Sequence, residues 1–327
     1  MSMTEDANPP ARVPVVVQDI RIEAEGVLSF HLVDPEGRDL PAFTAGAHVD
    51  VEMPGGLTRQ YSLCNDPGER NRYVIAVLRE ADGRGGSAWM HTAVRRGDRL
   101  MIGAPRNNFP LVETARSHIL IAGGIGVTPM LAMARRLRTI GADWRLHYCS
   151  RRVETTAFHA ELSAPPFQDA VTFHHDGGDP RNGIDLEAAL RDAAPGTHLY
   201  CCGPASLMAA VRAAAAAFPA DAVHFEAFKA EPPPAGTADR PFSVRLARRG
   251  ITLTVPENRS TLSVLRENGV DVPTSCEEGV CGTCAVTVLD GEVDHRDQVL
   301  SDAERSTGRL MLVCVSRARG GAVALDL

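Results

Sequence analysis

Four cysteines carry the most specific chemistry in the chain. Cys276, Cys281 and Cys284 follow the pattern C-x4-C-x2-C, and Cys314 stands apart from them, which is the ligand spacing of a plant-type [2Fe–2S] cluster. Three thiolates on one short loop can wrap a cluster, with Gly279 and Gly282 letting backbone amides turn toward its sulfurs. The fourth ligand must then come from elsewhere in the fold. Structural zinc sites usually repeat a short C-x2-C pair, and the second pair is missing here. Disulfides do not suit a chain read as having no secretory segment. Cys64, Cys149, Cys201 and Cys202 lie outside the pattern and are expected to be packed thiols.

A second constellation is Arg59-Gln60-Tyr61-Ser62-Leu63-Cys64-Asn65. An aromatic ring, a small hydroxyl and an arginine on one extended segment can cover a flat heterocycle, bond its edge and pair its phosphate. Alone, the same residues fit an ordinary strand. Gly83-Arg84-Gly85-Gly86-Ser87 leads into a short helix over Ala88–Ala93, so its amides could face an anion, with Ser87 either capping the helix or touching phosphate. A flexible turn with a capping serine explains it equally well.

Two further turns suit a nucleotide. Ala122-Gly123-Gly124-Ile125-Gly126-Val127-Thr128-Pro129 follows a strand and opens a helix, so a pyrophosphate could approach the backbone and Pro129 fits the first helical turn. It is not the G-x-G-x-x-G of a Rossmann fingerprint. Tyr200-Cys201-Cys202-Gly203-Pro204 is another strand end entering a helix, on the same carboxyl edge of the sheet where ligands gather. Cys202 fits there as a packed thiol or as a small polarizable side chain beside a nicotinamide ring.

The elements that must position these residues fall into three regions. Short Val-, Ile-, Leu- and Tyr-rich segments at Val15–Ile22, Val27–Val33, Ala47–Met53, Arg59–Leu63, Tyr73–Leu78 and Arg99–Ile102 alternate with turn signals, which predicts a closed antiparallel β-barrel. From His118 the period changes. Strands His118–Ala122, Trp144–Cys149, Ala170–His174, Thr197–Cys201 and Ala222–Glu226 alternate with helices Val127–Thr139, Thr156–Leu162, Asp185–Arg191 and Pro204–Phe218, which predicts a parallel-sheet α/β domain. Val127, Met130, Leu131, Ala134 and Leu137 form one apolar stripe. The proline-rich stretch 229–240 reads as a linker. Beyond it, a hairpin Phe242–Ala247 and Ile251–Val255 turns at Arg248-Arg249-Gly250, and Ser260 can cap a helix Thr261–Asn268. Val286–Leu289 turns at Asp290-Gly291, and Met311–Val315 carries Cys314.

A chain of 327 residues with a charged fraction of 23% is expected to form two or three globular domains. A net charge of −7 without a basic patch argues against nucleic acid, and the absence of a long apolar run or signal-like start argues against a membrane. The expectation is a soluble cytoplasmic protein, a monomer.

Taken together, these motifs resemble the phthalate dioxygenase reductase family, within the ferredoxin–NADP reductase superfamily. The match runs from about Val13 to Leu327 in the order flavin barrel, nicotinamide domain, plant-type ferredoxin of the β-grasp kind. The boundaries it implies are a disordered tail 1–12, an FMN-binding barrel 13–112, a nucleotide-binding domain 113–228, a linker 229–240 and a [2Fe–2S] domain 241–327. The resemblance implies FMN rather than FAD. Arg59 and Gly85-Gly86-Ser87 would hold its phosphate, Tyr61 would pack on the rings, and Ser62 would lie near N5, with Gln60, Leu63, Ala76 and Val77 completing the site. Gly123, Gly124, Gly126 and Thr128, with Cys202, Gly203 and Pro204, would hold the nucleotide. Glu226 would tune the flavin site and Phe228 would cover the flavin face.

The implied activity is that of an NADH-dependent reductase passing hydride to FMN and single electrons through the cluster to a Rieske-type terminal oxygenase. Positioning should matter more than acid–base catalysis, with Ser62, Thr128, Cys202 and Glu226 nearest the reacting atoms. The alternatives are a reductase for a cytochrome P450 or other monooxygenase, and a non-catalytic redox-sensing module. Coenzyme choice turns on Ser150-Arg151-Arg152: arginines there favour NADPH by charge, whereas the resemblance favours NADH. Glu277 and Glu278 could steer a basic partner surface or could simply face solvent.

Overall fold

The computed structural model describes residues 11–81, 83–229 and 239–327, so most of the expected tail and linker lie outside the described residues. Ala11–Ala227 form one compact unit, and the described residues from Phe228 to Leu327 belong to another.

In the first unit, strands β1 (Arg12–Ala24), β2 (Val27–Val33), β3 (His48–Glu52), β4 (Thr58–Ser62) and β5 (Tyr73–Leu78) precede helix α1 (Gly86–Thr92) and strand β6 (Arg99–Gly103). They pair antiparallel in the order β4-β3-β6-β1-β2-β5. A bridge from Leu63 to Ile75 links the two ends, giving the expected closed barrel. Closure fits the residues: Val15, Val17, Phe30, Val49, Ile75 and Ile102 alternate inward and are fully buried.

The α/β layer follows with β7 (Ser117–Gly123), α2 (Val127–Thr139), β8 (Asp143–Ser150), α3 (His159–Leu162), β9 (Val171–His175), α4 (Leu186–Arg191), β10 (Thr197–Cys202), α5 (Ala205–Ala214) and β11 (Val223–Glu226). All five strands are parallel, in the order β11-β10-β7-β8-β9. Two helices are shorter than the pattern predicts. Thr155 and Thr156 both donate their hydroxyls to the Arg152 carbonyl and Phe158 adopts φ 59, so the segment forms a 3-10 turn before α3. α5 gives way to turns at Ala215 and Phe218 before Pro219.

The predicted stripe of α2 is fully buried, but so are Ala132 and Met133 on the remaining faces. The reason is a shared core. Val27, Ala45, Cys64, Val74 and Ala76 of the barrel pack in one cluster with Val127, Met130, Leu131 and Met133 of α2. This helix is enclosed between barrel and sheet, so an amphipathic pattern alone understates its burial.

The second unit contains β12 (Phe242–Leu246), β13 (Ile251–Val255), α6 (Thr261–Glu267), β14 (Ala285–Asp294), α7 (Asp302–Thr307), β15 (Leu310–Leu312) and β16 (Arg317–Leu325). The sheet order is β13-β12-β16-β14-β15, with β12 and β16 parallel and the other pairs antiparallel. Ser260 caps α6 as expected, accepting from the Ser263 amide at 3.1 Å. The expected turn at Asp290-Gly291 is instead a bulged stretch of β14, where a Cβ on Gly291 would meet the Ala322 carbonyl oxygen at 2.6 Å. Cys314 lies in the turn after β15 rather than on the strand. Among the described residues no helix is long and apolar enough to cross a membrane.

Candidate functional site

The cysteine loop follows α6 and turns sharply, with Glu277, Gly279 and Gly282 all at positive φ (55, 73 and 75°). Its four sulfurs come together as two pairs, Cys276 with Cys281 and Cys284 with Cys314, each separated by 3.1 Å. All four cysteines are buried and free of disulfides. Among the described residues no three His, Cys, Asp or Glu side chains converge as a single-ion site requires. Two pairs side by side instead fit two metals with two thiolates each, which is what a [2Fe–2S] cluster needs. Within each pair the neighbouring thiol holds one cysteine below its usual range, Cys281 down to about 5 beside Cys276 and Cys284 beside Cys314.

Residues distant in sequence support this loop. A Cβ on Gly279 would lie 2.6 Å from the Val315 side chain and 3.2 Å from the Asp297 Cα. The Gln298 amide donates to the Gly279 carbonyl, and the fully buried side chain of Asp297 accepts from the Leu300 amide. Nothing in the local spacing around Asp297 signals this role. Glu277, read as steering a basic partner surface or simply facing solvent, is paired with Arg266 at 2.7 Å.

In the barrel, Arg59, Gln60, Tyr61 and Ser62 lie on β4, Leu63 follows it, and Ala76 and Val77 are buried on β5. Gly85 at φ 87 precedes α1, so Gly86 and Ser87 form its first turn. Arg59 lies directly across that turn: a Cβ on Gly86 would meet Arg59 Cγ at 2.7 Å and Met53 Sδ at 3.3 Å. The structure therefore brings together the arginine and the glycine turn, and a glycine is what lets them meet. Ser87 does not cap α1. Its hydroxyl accepts from the Glu80 amide at 3.0 Å. Tyr61 is partly buried against the barrel core, whereas Gln60 alternates to the opposite face and donates to Asp50 at 3.1 Å.

In the α/β layer, Gly123 ends β7, Gly124 and Gly126 form the turn, and Cys202 ends β10. The two turns are in backbone contact. A Cβ on Gly126 would sit 2.2 Å from the Cys202 carbonyl oxygen, and one on Gly203 would sit 2.9 Å from the Gly123 Cα. Pro204 closes the same junction, 2.6 Å from a Cβ placed on Gly123. Three glycines thus create one continuous backbone edge at the carboxyl end of the sheet, the place where α/β proteins bind ligands. The Thr128 hydroxyl donates to the Ile125 carbonyl at 3.0 Å, so in this structure it shapes the turn.

Beside this edge stands Glu226, in register with Cys202 across β10 and β11. Among the described residues its Oε2 is buried without a hydrogen-bond partner, and burial pushes the carboxyl up to about 8. Cys202 is fully buried, and burial together with the Glu226 charge raises its thiol far above the usual range. Cys64 and Cys201 are buried as expected, while Cys149 is half-buried. Ser150 ends β8 with its hydroxyl bonded to Thr156 at 2.7 Å and His175 at 3.0 Å. Arg151 follows it, and Arg152 pairs with Glu25 of the barrel at 2.9 Å. Phe228 follows Ala227 and is 37% exposed.

Comparison with known proteins agrees with this geometry. Residues 244–319 match the family of 2Fe-2S iron-sulfur cluster binding domains. Residues 104–224 match the N-terminal domain of dimethylamine monooxygenase subunit DmmA-like proteins. Phthalate dioxygenase reductase of Burkholderia cepacia is 48% identical over 93% of this chain and 94% of its own. The chain belongs to the phthalate dioxygenase reductase family. A solved phthalate dioxygenase reductase, described as a modular structure for electron transfer from pyridine nucleotides to [2Fe–2S], superposes with a TM-score of 0.75. It is 46% identical, covering 97% of this chain and 98% of its own. An intact type IV self-sufficient cytochrome P450 monooxygenase gives a TM-score of 0.85 and 39% identity, over 97% of this chain and 41% of its own. As a phthalate dioxygenase reductase family member, the chain is an NAD(P)H-dependent oxidoreductase with a [2Fe–2S] domain.

Proposed function

We propose that this protein is the reductase component of a two-component oxygenase system, drawing electrons from NADH and delivering them singly to a Rieske-type terminal oxygenase. The observation that carries the reading is the presence, in one chain, of the Gly126–Cys202 nucleotide edge, the Arg59–Gly86 turn and two buried cysteine pairs. Bound FMN and a [2Fe–2S] cluster supply the conversion from a two-electron donor to a one-electron acceptor.

Each group of residues has a separate task. Arg59 and the Gly85-Gly86 turn hold the flavin phosphate, and Tyr61 packs against the rings. Ser62, with Leu63, Ala76 and Val77 behind it, borders the reactive edge. Gly123, Gly124, Gly126, Gly203 and Pro204 admit the nucleotide, with Ser150 and Arg151 at its ribose. Thr128 and Cys202 fix the turns that aim the nicotinamide, and Glu226 excludes a negative charge from its side at neutral pH. Cys276, Cys281, Cys284 and Cys314 hold the cluster. On this reading 13–112 is the flavin domain, 113–228 the nucleotide domain and 241–327 the cluster domain of a cytoplasmic monomer.

Purified protein should contain FMN and two irons per chain and should reduce an artificial acceptor with NADH. Absence of flavin and iron would reject the proposal, and absence of acceptor reduction would leave only a redox-sensing role. The resemblance to a self-sufficient P450 favours one second reading, delivery to a P450 haem domain. Reconstitution with each class of oxygenase separates the two.

A further inference from the structure

Helix α2 begins in the nucleotide turn, and its second half is fastened to the segment that follows the strand carrying the flavin residues. Arg135 makes the connection. Its Nη1 donates to the Cys64 carbonyl at 2.6 Å, and its Nη2 and Nε donate to Glu161 Oε1 at 2.6 and 3.2 Å. One turn further on, Thr139 Oγ1 donates to Asp66 Oδ2 at 3.1 Å. Both barrel partners lie in the segment running on from Tyr61 and Ser62.

That segment is held from the barrel side as well. The Leu63 amide donates to the Ala47 carbonyl and the Cys64 amide to the Val74 carbonyl, each at 2.8 Å, and Asn65 accepts from the Val74 amide at 2.9 Å. Arg135, together with Thr139, therefore ties this barrel-held segment to the helix bearing Thr128. Arg135 and Thr128 are separated by two helical turns, about 10 Å along the axis. The arginine side chain is only 19% exposed, and its planar fork reaches a carbonyl and a carboxylate together in a fixed geometry that the rotatable donors of a lysine do not impose.

We propose that Arg135, held by Glu161, is a positioning residue that sets the gap between nicotinamide and flavin. The inference rests on the function proposed above. The step it serves moves one hydride, two electrons with one proton, from C4 of the dihydronicotinamide to N5 of the flavin, oxidising the first to NAD⁺ and reducing the second. Its rate depends steeply on the approach distance, so the fastening between the two half-sites acts on the rate without touching either ligand.

The test uses the full chain carrying Arg135→Lys, with Glu161→Gln as a milder second variant. Amide exchange over Cys64–Asp66, measured without NADH, should rise clearly in Arg135→Lys. At unchanged flavin content and an unchanged NAD⁺ dissociation constant, the limiting rate of flavin reduction should fall by ~10- to 100-fold, with an altered primary deuterium isotope effect. Glu161→Gln should shift both readouts in the same direction by less. Unchanged exchange would overturn the proposal, as would faster exchange with an unchanged rate and isotope effect. A rate loss that merely tracks flavin loss would also overturn it. If Arg135→Lys fails to retain flavin, an unchanged rate in Glu161→Gln has the same force. Failure of NADH to reduce the flavin of the parent protein would instead reject the proposed function, and the exchange measurement would still report on the clamp.

Discussion

Glu226 lies in register with Cys202 at the carboxyl edge of the parallel sheet, its Oε2 buried without a partner among the described residues. A carboxyl raised to about 8 by burial stays protonated in the folded protein while the unfolded chain ionises near the ordinary value of 4.5.

Stability linked to Glu226 is therefore fully present below pH 4.5 and is lost as the pH rises toward 8. Within that window each pH unit removes up to about 1.4 kcal/mol. Glu226→Gln should unfold close to the parent protein at low pH and at a higher temperature above pH 8. Melting curves across that range check this, and parallel pH profiles would show that the carboxyl is not the group responsible.

Gly126 and Cys202 meet so closely that a single methyl group has no room, with the carbonyl carbon of Cys202 only 2.5 Å from a Cβ on Gly126. Gly126→Ala should force the two turns apart at a cost of about 1–3 kcal/mol. NADH affinity should fall while flavin content is retained. Calorimetric titration with NAD⁺ measures the effect, and unaltered binding would separate this edge from the nucleotide.

Each cysteine pair is needed whole. Cys284→Ser and Cys281→Ser should each abolish the cluster, seen as loss of iron and of its visible absorbance. NADH-driven reduction of a flavin-level acceptor such as ferricyanide should survive. Cys149→Ser, outside both pairs, should retain the iron.

Arg152 is drawn to Glu25, in a pair whose side chains are 57% and 65% exposed. Such pairs are worth about 0.2–1 kcal/mol. Releasing the arginine by Glu25→Gln should raise the kcat/KM of NADPH relative to NADH by ~1.4- to 5-fold, converting that range to a rate ratio. Steady-state comparison of the two coenzymes in both proteins decides the point.

Much of this arrangement was readable from residue types. The barrel strands Val27–Val33 and Tyr73–Leu78 and helix Val127–Thr139 have the boundaries that their apolar periods and flanking turns indicate. The four cysteines were recognisable from spacing, although which sulfurs pair depends on tertiary folding. α7 was missed despite a readable capping box, in which Ser301 and Glu304 bond one another's backbone amides. β16 was hidden by Gly320-Gly321 and by the charged residues Arg317 and Arg319, none of which suggests a strand. Contacts made across long separations left no local signal at all. Arg135 on Cys64, Asp297 behind Gly279 and Glu25 on Arg152 each join segments whose proximity only the fold creates.

On the proposed function, electrons enter at the Gly126–Cys202 edge, pass the Arg59–Gly86 turn and leave through the cysteine pairs. Anaerobic stopped-flow mixing of NADH with the fully loaded protein, followed at flavin and cluster wavelengths, tests that order most directly, with a flavin-stripped sample run in parallel. Flavin should bleach first and the cluster second, with no cluster reduction in the stripped sample. Reduction of the cluster by NADH in the absence of flavin would contradict that order.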